Sequence, residues 1–318
     1  MSYISIFNKQ YPILSIFLFI FIAATISSLF YNYICSSFAK EGFETDSSDK
    51  KSGYIDNQIA TTEPTDREIF ISLSTSPKRI ENIGPLIKTL SNQTVKPTKI
   101  VLNLPFIFKR TNTTFSELPD FVTNNPLVYI NWCEDIGPST KVIPTVKLAS
   151  SPESILISVD DDIEYKPTLV ETLLKYSDKH PEAVITGESF MRLPSSNNSN
   201  KDTSTQYAEL VEGYSSVLYK KKHIADFTEE TILNYPKFCY LADDFIISNH
   251  LRKKGVPIVV ITSTNDKPYG EIFLSYGNGD DSLRNGANGN SNGNIDNYKK
   301  CASHLKSKND LHIKYVFE

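Results

Sequence analysis

The segment ILISV (155–159) is an apolar run, broken only by a serine, that leads straight into three consecutive aspartates, Asp160, Asp161 and Asp162. A strand apolar on both faces is covered on both faces, which points to a parallel sheet lying between helices. The three carboxylates repel one another, and carboxylates sharing a site push a pKa upward unless solvent or a cation intervenes. A divalent metal is the simplest such cation.

The flanking pattern supports this architecture. EIFISL (68–73) and KIVLNL (99–104) read as strands; between them Ile83, Leu86, Ile87 and Leu90 recur at helical spacing, with Pro85 in the first turn. VYINW (128–132) comes next, and after ILISV a helix carries the stripe Leu169, Val170, Leu173 and Leu174 until His180 and Pro181 end it. AVITG (183–187), SVLYK (216–220) and VPIVVI (256–261) add short strands. The alternation predicts an α/β fold: a mixed, mainly parallel sheet flanked by helices, with ligands beyond the carboxyl ends of its strands. Two Asn-, Gly- and Ser-rich segments, 195–205 and 277–294, read as loops, the second a candidate flap over a bound ligand.

The chain has 318 residues, and between Lys9 and Lys40 none is charged. Residues 11–35 are long and apolar enough to cross a bilayer, after a short tail at 1–10. The apolar stretch exceeds the roughly 7–15 residues of a signal-peptide core and lacks a clean cleavage site, so it reads as a retained anchor. Lys9 precedes it, whereas Lys40, Lys50 and Lys51 follow it, and so few charges do not fix the orientation. Residues 36–66 are polar and read as a flexible stalk, leaving 67–318 as the folded domain. The net charge of −4 and the lack of a basic stripe interleaved with aromatics exclude a nucleic-acid partner. The four cysteines, Cys35, Cys133, Cys239 and Cys301, form no C-x-x-C pair, so neither a zinc site nor a disulfide framework can be read from them. Sequons at Asn92, Asn112 and Asn197 suit a lumenal glycoprotein, although an Asn-, Ser- and Thr-rich chain produces them by chance.

While the chain stays extended past residue 159, Asp160 and Asp162 share a face and Asp161 points away. That places two carboxylates around one Mg²⁺ or Mn²⁺, an ion usually held by one or two carboxylates plus substrate phosphates. The bland alternative is an acidic strand end or cap. In CYLADDFIISNHLRKKG (239–255), Leu241, Phe245, Ile246, Ile247 and Leu251 form an apolar stripe that Gly255 terminates. Asp243 and Asp244 fall in the first turn, where the helix dipole favours acids and where either could act as a general base. In EDIGPSTKVIP (134–144), Gly-Pro marks a turn and Lys141 stands near the carboxyl edge of the sheet, placed to meet a phosphate or to remain an ordinary surface lysine.

Taken in order, these motifs resemble a glycosyltransferase of the GT-A fold, close to the family 2-like group, from about residue 68 to 261 with a weaker tail to 305. FISLSTSPKRI resembles the first nucleotide-binding strand and its turn, which brings Ser74 to the donor. EDIGPSTKVIP followed by ISVDDDIEY resembles a paired signature whose second half is the D-x-D element. VEGYSSVLYKK (211–221) resembles the acceptor-side segment, and LADDF resembles the motif of the catalytic base. The resemblance implies that Asp160 and Asp162 hold a metal and the diphosphate of a nucleoside diphosphate sugar, with Asp161 near the ribose or donor sugar. It makes Asp244 the base, with Asp243 as the alternative. A third metal ligand would be His304 or His312. The implied partners are a nucleotide sugar, a glycan, glycoprotein or glycolipid acceptor, and the bilayer; the implied setting is a type II, single-pass protein of secretory-pathway membranes. Two rivals stand beside this reading. One is a non-catalytic binding module of the same fold; the other is a metal-dependent phosphohydrolase or nucleotidyltransferase.

Overall fold

A computed structural model describes residues 66–193, 205–261, 272–275 and 294–314. Its strands are β1 (Ile69–Ser74), β2 (Lys99–Pro105), β3 (Val128–Cys133), β4 (Ile155–Ser158), β5 (Glu164–Tyr165), β6 (Val184–Thr186), β7 (Gln206–Ala208), β8 (Val217–Lys220), β9 (Ile258–Val260) and β10 (Phe273–Ser275). Eight of them form one sheet in the order β3-β2-β1-β4-β8-β6-β9-β7, and β10 pairs with β5 in a second, two-stranded one. The pairs β1–β2, β2–β3, β1–β4 and β6–β9 are parallel, while β8 runs antiparallel to β4 and β6, and β7 antiparallel to β9. The mixed, mainly parallel sheet expected from the alternation of elements is present.

Side-chain alternation sorts the sheet into two cores. Ile69, Ile71, Leu73, Ile100, Leu102, Leu104, Ile155 and Ile157 face one cluster, whereas Phe70, Val101 and Leu156 face the other. Against the first packs helix α1 (Gly84–Ser91), with Leu86, Ile87 and Leu90 inward and proline in its first turn. Helix α2 (Leu169–Lys179) packs there too, buries Leu169, Val170, Leu173 and Leu174, and ends at His180. The second cluster takes the short helix α3 (Lys237–Tyr240), helix α4 (Asp243–Lys253) and helix α5 (Asn294–Ser307). Gly255, at φ +70°, makes the left-handed turn that closes α4. Burying about sixty apolar side chains of this kind is the dominant favourable contribution to folding.

The sheet also carries a buried polar patch. Ser72 Oγ donates to the carbonyl of Lys141 at 2.5 Å and hydrogen-bonds Thr145 Oγ1 at 2.6 Å. Asn103 Nδ2 donates to Ser72 Oγ at 3.0 Å and to Thr145 Oγ1 at 2.9 Å, and its own Oδ1 accepts from Asn131 at 2.8 Å. Ser72, Asn103 and Thr145 are fully buried, so each must find its partners inside the protein. They find them in the 3₁₀ turns Gly137–Lys141 and Ile143–Lys147, which are thereby tied to the middle of β1 and β2.

Cys239 of α3 and Cys301 of α5 form a disulfide, which cysteine spacing did not reveal; Cys133 is free and buried. The expected tail, anchor and stalk at 1–65, and most of the loops at 195–205 and 277–294, lie outside the described residues. Among the described residues no helix is long and apolar enough to cross a membrane.

Candidate functional site

The strand order reverses between β1 and β4: β2 and β3 extend to one side of β1, and β4 lies on the other. In open α/β sheets the crevice beyond the carboxyl ends at such a switch point is where ligands bind. Thr75 follows β1 there, and Asp160 to Asp162 follow β4. Because β8 is antiparallel to β4 and β6 is antiparallel to β8, the carboxyl end of β6 and the start of β8 meet the same edge. They bring Glu188 and Gly213 to it.

The triplet does not stay extended. Strand β4 ends at Ser158 and the chain turns at Asp161 and Asp162, which cancels the expected two-residue alternation. Asp161 and Asp162 share a partner instead: Arg79 reaches Asp161 Oδ1 and Asp162 Oδ2, each at 2.9 Å. Asp161 also accepts from Thr75 Oγ1 at 2.6 Å. Burial pushes its carboxyl up to about 7, against the pull of Arg79 and Thr75. Burial, followed by the charge of Asp160, raises Asp162 as well. Asp160 goes the other way, to Lys141 Nζ at 3.0 Å. Its backbone N–H donates to the hydroxyl of Tyr165, which in turn donates to the carbonyl of Tyr214.

Lys141 links the two acidic motifs. Its Nζ lies 3.0 Å from Asp160 Oδ1 and 3.2 Å from Asp243 Oδ2, although the latter oxygen is not aligned for a hydrogen bond. Burial works against the charge of Lys141, yet Asp160, Asp243 and Asp244 hold its pKa well above the ordinary value. Asp244 Oδ1 accepts from the backbone N–H of Gly213 at 3.0 Å, and its Oδ2 from the hydroxyl of Tyr298 at 3.4 Å. Burial first, and Asp243 second, push the Asp244 carboxyl well above the usual range, with Lys141 opposing them. Asp243 is buried, whereas Asp244 keeps a partly exposed face. A side chain at position 213 would place its Cβ 2.1 Å from Lys141 Nζ and 3.0 Å from Asp244 Oδ1, so any larger residue would displace the Lys141 ammonium from its present place.

The loop that carries Lys141 is pinned from α3 as well. Asp135 accepts from the backbone N–H groups of Lys109 and Gly137 and from the hydroxyl of Tyr240. Gly137 has φ +69° and lies so close to Tyr240 that an added Cβ would sit 2.7 Å from the ring.

Of the residues expected from sequence, Asp160, Lys141, Asp243 and Asp244 converge, and Asp161 and Asp162 stand beside them on Arg79. Ser74 ends β1, and the neighbouring Thr75 is the residue that touches the triplet. His304 packs edge-on against Phe238 at 6.0 Å, and His312 lies against Asp310 at 3.2 Å. Among the described residues no three His, Cys, Asp or Glu side chains gather as a closed metal site would require. The donor set that is present is hard oxygen from Asp160 and Asp162, each partly exposed and each paired with a cationic side chain. Such a set suits an open Mg²⁺ or Mn²⁺ site completed by a ligand's phosphates.

Thr75, Arg79, Gly213 and Tyr298 belong to the site and had no assigned role in the sequence reading. Arg79 lies in FISLSTSPKRI, where the cation pair Lys78 and Arg79 just past β1 was the available signal. Nothing local marks Tyr298, which is 54 residues from its partner Asp244.

No family model matches this chain, and no curated protein matches it in sequence. Among solved structures it is similar to the crystal structure of S. aureus TarS, with a TM-score of 0.39 and 12% identity over 75% of this chain and 39% of that one. TarS 1–349 gives 0.38 and 13% over 62% and 58%. TarS 1–349 in complex with UDP gives 0.39 and 12% over 75% and 72%. The likeness is weak and partial.

Proposed function

We propose that this chain is a glycosyltransferase that moves a sugar from a nucleoside diphosphate sugar to an acceptor hydroxyl with inversion at the anomeric carbon. One observation carries the reading: Asp160 and Asp243, far apart in sequence, meet on one largely buried lysine at the switch point of the sheet. Two acidic motifs at one cleft can do separate jobs, one toward the donor and one toward the acceptor.

On the donor side, Asp160 and Asp162 would hold a Mg²⁺ or Mn²⁺, and Asp161, Thr75, Arg79 and Lys141 would border the nucleotide. When bound, the metal would neutralise the charge that develops on the departing diphosphate. On the acceptor side, Asp244 takes the proton of the incoming hydroxyl as its oxygen bonds to the anomeric carbon. The bond from that carbon to the diphosphate oxygen breaks, and the nucleoside diphosphate leaves with the electron pair. The Gly213 N–H and the Tyr298 hydroxyl orient the Asp244 carboxylate, and its raised proton affinity suits a base. Lys141 keeps the two acidic motifs from repelling each other while the cleft fills. Cross-links of the Cys239–Cys301 kind persist in oxidising compartments, which supports a lumenal catalytic domain carried by the expected anchor at 11–35.

Thermal melting of the full chain with UDP, GDP, CDP and their sugars, with and without Mn²⁺, tests the donor half. A nucleotide at about a hundred times its Kd adds about 2.7 kcal/mol, a rise of roughly 5–10 °C for a domain of this size. The expected result is such a rise for one nucleotide, only with metal, and its loss in Asp162→Asn. If no nucleotide shifts the melt under any metal, the transferase reading fails.

A further inference from the structure

We infer that Asn112 carries an N-linked glycan whose first sugars lie over the exposed rings of Phe106 and Trp132. The chain holds three N-x-S/T sequences, and the fold separates them. Asn112 sits in a turn closed at its base by backbone hydrogen bonds in both directions between Phe108 and Thr113, at 2.8 and 3.4 Å. Its φ of +53° is left-handed, a conformation that asparagine adopts more readily than most residues. Asn112 and Thr114 are both exposed, and among the described residues neither side chain has a hydrogen-bond partner. The amide and the hydroxyl that define the acceptor motif are therefore both on offer at the surface. Asn92 is exposed too, but it closes helix α1, and the Thr94 hydroxyl of its motif is already engaged with Glu171 Oε2 at 2.9 Å and the carbonyl of Pro167 at 3.3 Å. Asn197 lies outside the described residues.

A second, independent observation is the surface beside that turn. Phe106 is 55% exposed, Ile107 51% and Trp132 44%. Phe106 stacks on Trp132 at 6.2 Å and 15°, and Phe115 meets Trp132 edge-on at 6.0 Å. The patch borders β3, the edge strand of the sheet. A cluster of exposed apolar rings at a sheet edge invites association unless something covers it. Asn112 and Phe115 are three residues apart, at most about 11 Å of extended chain, so a glycan rooted at Asn112 begins within reach of these rings. Aromatic faces are electron-rich and attract the weakly positive C–H groups on the flat side of a pyranose. The sugar hydroxyls then face water, which makes the covered patch soluble.

The Cys239–Cys301 bridge fits the oxidising compartments in which such glycans are attached. In that attachment the Asn112 amide nitrogen bonds to the anomeric carbon of an oligosaccharide carried on a lipid diphosphate. The nitrogen loses one proton, and the lipid diphosphate leaves with the electron pair. The inference rests on the lumenal placement proposed above and not on the transfer chemistry of the cleft.

The full chain, made in cultured eukaryotic cells and purified in detergent, tests it by mass spectrometry of the peptide spanning Asn112 and by acrylamide quenching of fluorescence from Trp132, the only tryptophan of the chain. The peptide should carry a glycan. Thr114→Ala, which leaves the asparagine in its left-handed turn, should abolish it, and Thr114→Ser should keep it. Asn92→Gln should alter neither the Asn112 peptide nor the quenching. Enzymatic removal of the glycan, or Thr114→Ala, should raise the quenching constant by roughly half or more, as the indole loses its cover. Protease digestion of sealed microsomes locates the domain. A protected domain with Asn112 unmodified overturns the inference and leaves the lumenal placement standing. A digested domain overturns both. A glycan at Asn112 whose removal leaves the quenching unchanged overturns the covering of the patch. None of these outcomes touches the nucleotide melting shift, which tests the transferase reading by itself.

Discussion

The two acidic motifs at the cleft are built on opposite electrostatic plans. After β4, each aspartate of the triplet lies about 3 Å from a guanidinium or an ammonium, from Arg79 or Lys141. At the start of α4, Asp244 is held by a backbone N–H and a phenol, with no cation of the described residues in direct contact. The first arrangement keeps carboxylates paired with cations that a metal and a diphosphate can replace; the second keeps a carboxylate eager for a proton. Similar residues in similar positions past a strand or at a helix start thus acquire different chemistry from their neighbours alone. Lys141 belongs to both plans, and it is where they can be separated.

The largest effect is expected from separating the two functions. Asp244→Asn should lower transfer by about 10²–10⁴-fold, the range of a general base, while leaving the metal-dependent nucleotide melting shift intact. Asp162→Asn should do the reverse to binding and abolish that shift. If Asp244→Asn also removes the nucleotide shift, the two motifs form one site and the contrast collapses. Lys141→Met should next destabilise the domain by about 1–3 kcal/mol, because the buried Asp243 and the partly exposed Asp160 lose their shared cation; chemical denaturation reads this directly.

Cys239→Ser tests whether the acceptor side alone depends on a covalent tie. The cross-link spans 62 residues of sequence, and its loss should cost about 2–5 kcal/mol. Hydrogen exchange should show the loosening in α3 and α5 and not in β1 to β4. The smallest effect belongs to Tyr298→Phe. The phenol stabilises the ionised Asp244, so removing it raises that pKa further. Because the base works only when ionised, activity at neutral pH falls and the rising limb of the pH–rate profile moves upward, by about one unit or less for one hydrogen bond. A limb that stays put would remove Tyr298 from the positioning of the base.

Sequence carried the first half of the molecule well. The runs at β1, β2 and β4 are apolar because the sheet is covered on both faces there, whereas β3 is a partly exposed edge strand, and the edges of all four agree with the structure to within a residue or two. The helix holding Asp243 and Asp244 was also legible, because its stripe and its terminating glycine are local signals. The second half hid more. Strands of three residues such as β6, β7 and β9 carry no direction in their pattern, so the antiparallel insertion of β8 could not be read. The disulfide and the reach of Tyr298 to Asp244 depend on where α5 docks, a long-range packing outcome without a local signature. The triplet misled in one respect: strand alternation holds only while a strand lasts, and β4 ends at Ser158, short of the whole triplet.

The polar patch beneath Lys141 bears on how relatives of this chain could be recognised. Short acidic motifs recur in many proteins and discriminate poorly. A small hydroxyl in the middle of the first strand, an asparagine at the matching depth of the second and a threonine just after the lysine form a rarer combination, because all three are buried and satisfy one another. Replacing one with an apolar residue of similar size strands the others, so the trio should be inherited together or lost together. Descent in this lineage is then better traced through the floor of the cleft than through the acids at its mouth.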